Sequence, residues 1–164
     1  LDVSEKLISL NDISKKNGVV LAFICNHCPY VKDIISRIVS DFDKLQSLDI
    51  GVAAIMSNDT EQYPEDSYAK MKKFSLDNRF SFPYLYDKDQ SVARTYQAVC
   101  TPDFFGFNKN NKLFYRGRLD NLKFQEKNKT REPCLINAFI QMLKNNSTIE
   151  NQISSIGCSI KWKR

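Results

Sequence analysis

The spacing of apolar positions changes several times along this chain, and each change marks an element. Val19 to Cys25 is continuously apolar and rich in β-branched residues, the pattern of a strand covered on both faces. From Val31 the apolar residues fall at Ile34, Ile35, Ile38, Val39, Phe42, Leu45 and Leu48, which is helical spacing. Pro29 suits the first helical position and puts Cys25 near the N-cap. Ile50 to Met56 predicts a second apolar strand, followed by the loop Ser57-Asn58-Asp59-Thr60. Pro64 to Asn78 predicts an exposed helix opened by Glu65 and Asp66, Phe82 to Tyr86 a short extended piece, and Gln90 to Gln97 a short helix. Asp103 to Phe107 and Lys112 to Arg118 predict a hairpin around Asn108-Lys109-Asn110-Asn111. Leu135, Ile136, Phe139, Ile140 and Leu143 form the buried stripe of a final helix. At the N-terminus, Lys6 to Leu10 alternates as an edge strand or hairpin arm would, and Asn11 to Gly18 is a polar turn.

The order β-α-β-α, then a β-hairpin, then α, predicts an α/β thioredoxin fold. Its mixed central sheet is flanked by helices, with an N-terminal hairpin addition and one inserted helix. At 164 residues and 42% hydrophobic, the chain can bury one sizeable core. A single domain over residues 1–164 is expected, with 1–17 an N-terminal extension and 148–164 a C-terminal tail. Ligands of open α/β sheets meet the loops at the carboxyl ends of strands, which places Cys25–Cys28 and Ser57–Thr60 on one edge.

That edge carries the best clue to chemistry. Cys25-Asn26-His27-Cys28 sets two thiols in C-x-x-C spacing at a strand-to-helix junction, and the only histidine of the chain lies between them. A helix N-terminus offers unpaired N–H groups and partial positive charge, which favour a thiolate over a thiol. A dithiol works by thiolate attack on a disulfide and resolution by its second thiol. The first cysteine is expected to be the exposed attacker and Cys28 the resolver. His27, with Asn26, is expected to tune the pair by hydrogen bonding or charge at Cys25. Stabilising the thiolate makes the disulfide more oxidising, so the pair is expected to oxidise more strongly than one spaced by Gly-Pro. Thr101-Pro102, just before the hairpin, is the second element. A cis bond there would bring backbone groups up to the dithiol, ready to pair with an extended substrate.

Composition narrows the alternatives. The net charge of +5 comes with scattered lysines and no striped basic helix, against nucleic-acid binding. No apolar run approaches the ~20 residues of a membrane span, and no leader is visible, so a cytoplasmic protein is expected. Five cysteines is an odd count, read as one functional pair plus further thiols. A structural metal needs four ligands, and there is no second C-x-x-C and no other histidine. Neither metal nor cofactor is expected. The expected partner is a disulfide-containing protein or a small-molecule thiol or disulfide, met by a monomer or weak dimer.

Seven segments are shared with one group: Cys25-Asn-His-Cys-Pro-Tyr-Val, Ser57-Asn-Asp, Tyr63-Pro-Glu-Asp-Ser, Phe82-Pro-Tyr-Leu-Tyr-Asp, Cys100-Thr-Pro-Asp-Phe, Tyr115-Arg-Gly-Arg-Leu-Asp and Gly157-Cys-Ser-Ile-Lys-Trp-Lys. Together they resemble the peroxiredoxin-like, thiol-specific-antioxidant branch of the thioredoxin superfamily. The resemblance implies a thioredoxin fold, a redox-active Cys25–Cys28 pair and a cis-proline at Pro102. Two positions depart from related patterns. Val19 stands where thioredoxins carry a buried acid, so proton transfer to Cys28 must use water, His27 or another group. Cys28 falls at the peroxidatic position of peroxiredoxins, but Cys25 and Leu21 replace the threonine and proline that accompany it.

Other residues carry weaker signals. Cys158 reads as a resolving or auxiliary thiol or as a structural cysteine, Cys100 as an auxiliary thiol or a small core residue, and Cys134 as structural. Asp59 and Glu61 are candidate proton acceptors, and Arg116 and Arg118 read as a solvated face. Tyr30 reads as packing, and Phe104, Phe105 and Phe107 as core and rim of a substrate groove. Three functions follow in order: a thiol–disulfide oxidoreductase, a thiol peroxidase, and a non-enzymatic module that binds a protein or metal.

Overall fold

The computed structural model describes residues 1–164. Strand β1 (Val19–Phe23) is buried at every position, as its unbroken apolar run requires. Parallel to it lies β2 (Gly51–Met56), with Val19 opposite Gly51 and Phe23 opposite Ile55. β2 in turn pairs in parallel with β3 (Tyr84–Tyr86). On the other side of β1 runs the antiparallel β5 (Asp103–Phe107), joined by a hairpin to β6 (Leu113–Gly117). The sheet order is β3-β2-β1-β5-β6, a mixed five-stranded sheet at the centre of a thioredoxin fold.

Because strand side chains alternate between faces, β1 feeds two cores at once. Val20 and Ala22 face the larger one, packed against Ile35, Ile38, Phe42 and Leu45 of α2 (Pro29–Ser47) and Leu135 and Phe139 of α5 (Cys134–Asn145). Val19, Leu21 and Phe23 face the smaller one, closed by Ile13 of α1 (Leu10–Ile13), Ala93 of α4 (Ser91–Thr95) and Phe105. Each large side chain so buried contributes roughly 1.5–3 kcal/mol. A buried ion-pair cluster ties the elements flanking the larger core: Arg131 reaches Asp41 of α2 and Asp120, and Arg37 also donates to Asp120 at 2.9 Å.

Three expectations change. Residues 6–10 form no strand. Ser9 caps Leu10–Ile13 in a reciprocal capping box with Asp12, which turns the chain into a short helix instead. The N-terminal addition is therefore an isolated Asp2–Leu85 bridge, that helix and a Lys15–Gly18 bridge, in place of a hairpin arm. The expected helix over Pro64–Asn78 breaks at Ser67 into a 3₁₀ turn (Pro64–Asp66) and α3 (Tyr68–Asp77). Finally, the C-terminal tail contains a strand. β7 (Cys158–Ser159) pairs antiparallel with β4 (Cys100–Thr101), directly ahead of Pro102.

Candidate active site

Three segments meet at the N-terminus of α2. Cys28 is its N-cap and Pro29 opens its first turn, one turn later than the expected cap at Cys25. The peptide bond Thr101-Pro102 is cis, as its position implied. Thr101 faces both thiols, with its Oγ1 3.5 Å from Cys25 Sγ and its carbonyl oxygen 3.3 Å from Cys28 Sγ. The tail brings Cys158 Sγ to 3.1 Å from Cys28 Sγ. Cys25 and Cys28 are 1% and 0% exposed, so neither is the open surface thiol that the first cysteine was expected to be. Cys158 is half-buried.

Ionisation also falls the other way round. The Cys25 thiol, donating to Cys28, does most to lower the Cys28 pKa; the Cys158 thiol and the Val31 and Cys158 amides add to it, against the cost of burial. The Cys25 pKa is raised, first by that same hydrogen bond, then by burial and by the Asp66 charge. The direction of both shifts favours a thiolate at Cys28 over one at Cys25, and Cys28 stands at the N-cap of a helix with 19 residues, where the helix N-terminus favours an anion. When protonated, Cys28 instead donates to the Thr101 carbonyl. Burial, with the contact to Cys28, pushes the Cys158 thiol up to about 11. Burial likewise pushes Cys100 up to about 12, and its sulfur lies 3.6 Å from the Pro102 carbonyl oxygen.

Behind Cys25 sits Asp66, fully buried, from the 3₁₀ turn. Its carboxylate accepts from the Asn26 amide at 2.8 Å, the His27 amide at 3.3 Å, His27 Nδ1 at 2.7 Å and Asn58 Nδ2 at 2.8 Å. Asn26 is fixed further by Tyr84, whose hydroxyl donates to Oδ1 at 2.9 Å. His27 stacks on Tyr63 with ring centroids 5.6 Å apart. His27 and Asn26 are thus set by Asp66, whereas Asp59 and Glu61 are the acids expected at this edge from the sequence. The Asp59 carboxylate instead closes a local turn by accepting from the Glu61 amide. In sequence, Tyr63-Pro-Glu-Asp-Ser shows only a proline-started turn with two acids, which does not tell Asp66 from the exposed Glu65. Asp66 is thus a fully buried acid beside the motif, on a different element from Val19.

Cys25 Sγ, a His27 ring nitrogen and an Asp66 oxygen lie within 4.8 Å of one another, a spacing open to a metal ion. Those Asp66 oxygens already hold the loop together, however, and an ion would have to displace those bonds. Beside Pro102 runs a cleft of about 390 Å³, lined among others by Tyr30, Phe104, Arg118, Phe124 and Ile156. Tyr30 packs on Phe124, and Phe104 fills the cleft floor while Phe105 belongs to the opposite core. The two arginines are not a solvated face. Arg116 pairs with Asp103 and lies over the Phe105 ring, and the Arg118 Nε is buried without a partner. Cys134 contacts only the nearby Glu132 carbonyl among hydrogen-bonding groups, apart from the other thiols.

A five-stranded mixed sheet with a two-cysteine motif at the start of its first long helix and a cis-proline facing it defines a thioredoxin-fold protein of redox type. The sequence profile of the AhpC/TSA family matches residues 1–116, and the chain belongs to that family. Among solved structures it is similar to an uncharacterised conserved protein from Geobacillus kaustophilus, at 40% identity over 99% of this chain and 86% of that one, with a TM-score of 0.93. A hypothetical protein from Sinorhizobium meliloti 1021 is 31% identical over 99% of this chain and 88% of that one, with a TM-score of 0.90. A secreted disulfide oxidoreductase of Mycobacterium tuberculosis shares the fold at 14% identity, over 68% of this chain and 76% of that one, with a TM-score of 0.58. Among curated proteins, no sequence matches this chain.

Proposed function

We propose that the protein is a thiol–disulfide oxidoreductase that moves two electrons through Cys25 and Cys28. The observation that carries this reading is the meeting of the Cys25, Cys28 and Cys158 sulfurs beside Thr101-Pro102 at the N-terminus of α2, where the neighbouring thiols also lower the Cys28 pKa. The Cys28 thiolate attacks one sulfur of a substrate disulfide, forming a mixed disulfide and releasing the other sulfur as a thiolate. Cys25 gives its proton to that leaving thiolate and attacks Cys28 Sγ, and the second substrate sulfur leaves and is protonated. The Cys25–Cys28 disulfide is left behind, so the substrate has gained two electrons and the protein has lost them. Run backwards, the same steps oxidise a dithiol. This order reverses the roles first expected for the two cysteines. The substrate would be a protein or small-molecule disulfide approaching past the Pro102 cleft.

A thiol peroxidase is the second reading, because Cys28 occupies the peroxidatic position with two thiols beside it to resolve a sulfenic acid. Insulin reduction and hydroperoxide consumption, measured side by side, separate the two. Disulfide exchange is expected to exceed peroxide turnover, and to fall at least a hundredfold in both Cys25→Ser and Cys28→Ser. Fast peroxide turnover that survives Cys25→Ser, with no insulin reduction, would put the peroxidase first.

A further inference from the structure

The dithiol cycle makes no use of Cys158, yet two independent features aim this residue at the site. Its sulfur stands 3.1 Å from Cys28 Sγ, about 1 Å more than the ~2.05 Å of a disulfide bond. Its backbone, in β7, pairs with β4 with Cys158 opposite Thr101. An extended partner adding itself to this edge would form such backbone pairs. The chain's own tail therefore already occupies the edge beside the dithiol, and it presents a thiol there.

The tail is anchored for that purpose from both sides. The Asp59 amide donates to the Lys161 carbonyl at 2.8 Å, and the Lys161 amide to Asn58 Oδ1 at 2.9 Å. Gln90 donates to the same carbonyl at 2.8 Å and accepts from the Lys163 amide at 2.8 Å. The guanidinium of Arg94 lies 4.6 Å from the Trp162 ring centre. Asn58, which also holds Asp66, thus ties the tail to the Cys25 loop.

We propose that Cys158 is a third redox thiol that takes the disulfide over from the buried Cys25–Cys28 pair and presents it to external thiols at the surface. This rests on the reading that Cys25 and Cys28 form a redox pair. In the transfer, the Cys158 sulfur attacks Cys28 Sγ of the Cys25–Cys28 disulfide. The Cys28–Cys158 bond forms, the Cys25–Cys28 bond breaks, and Cys25 leaves with the proton that Cys158 gave up, with no net oxidation. An external thiol then attacks Cys158, and Cys28 leaves as the thiolate its surroundings already favour. A second external thiol releases the first as a disulfide and restores the Cys158 thiol. Two external thiols have lost two electrons and the protein has gained them. Exposure supports this division of labour, since Cys25 and Cys28 are buried and Cys158 is half-buried.

Mapping the disulfides decides the matter. The full chain is oxidised with glutathione disulfide, quenched in acid, alkylated, digested and analysed by mass spectrometry. Both Cys25–Cys28 and Cys28–Cys158 linkages are expected in the unaltered protein, and Cys28–Cys158 alone in Cys25→Ser. Cys158→Ser is expected to form Cys25–Cys28 normally but to oxidise glutathione at least tenfold more slowly. Absence of a Cys28–Cys158 linkage from both proteins, with oxidised Cys158→Ser reduced by glutathione at the unaltered rate, would overturn the relay and leave the dithiol reading standing. Absence of any internal disulfide in the unaltered protein would overturn both. Mapping the unaltered protein depends on no variant, so a misfolded substitution cannot mask the result.

Discussion

At the scale of single residues, the polarity of the pair is decided by donors rather than by order in the motif. Cys28 gathers the Cys25 thiol, the Cys158 thiol and the Val31 amide, whereas Cys25 faces the fixed charge of Asp66. The reduced protein is therefore expected to show one thiolate absorbance step well below the ordinary cysteine value of about 8.5, absent from Cys28→Ser. Stability follows by linkage. A group whose pKa is lowered on folding stabilises fully above its unfolded value, about 8.5, and that contribution is lost as pH falls through the lowered value. Between those limits, the reduced protein should lose stability on acidification more steeply than Cys28→Ser, as read from denaturation midpoints at several pH values. Equal slopes would place the charge elsewhere. The C-x-x-C motif and its helix were legible from the Cys25–Cys28 spacing, Pro29 and the helical apolar spacing that follows Val31. Asp66 was not, because an acid in a 3₁₀ turn looks solvated until the chain folds it under the motif.

At the scale of elements, the tail reaches the site through a close approach that only a glycine permits. A Cβ on Gly157 would meet the Thr101 carbonyl oxygen at 2.0 Å, and a backbone atom cannot step aside as a flexible side chain would. Gly157→Ala is expected to lift β7 off β4, to cost about 1–3 kcal/mol, and to speed alkylation of Cys28 at least tenfold. Iodoacetamide labelling of the reduced protein, read by mass spectrometry, checks this, and unchanged labelling would mean that the tail does not cover Cys28. Local pattern could not find β7. Its two residues are too few to show a period, and a two-stranded pairing is specified by the partner edge and not by the segment itself. The hairpin of β5 and β6 was legible because two aromatic-rich segments flank a turn marked by Asn108–Asn111. The short N-terminal helix was misread for the opposite reason: four residues of capping-box geometry outweighed a brief alternation.

At the scale of the whole molecule, the surroundings that lower the Cys28 pKa would, for the proposed redox pair, favour its reduced state. An anion at the N-terminus of α2 is stabilised by the helix and by two neighbouring thiols, which makes the corresponding disulfide easier to reduce. Equilibration with glutathione is expected to give a potential less negative than about −270 mV, the thioredoxin value. A potential at or below that value would mean that the protein acts as a reductant of thioredoxin strength and that ionisation does not set its poise.

By itself, the sequence determined the strands of the central sheet, the long helix and the dithiol at their junction, because each is written in a local period or a short motif. Only the tertiary structure decided in which direction each thiol is shifted, that a buried acid stands beside Cys25, and that a third thiol joins the pair. Asp66, Thr101 and Cys158 lie far from the motif along the chain. Their meeting depends on strand pairing and on anchoring by Asn58 and Gln90, contacts that no local pattern encodes.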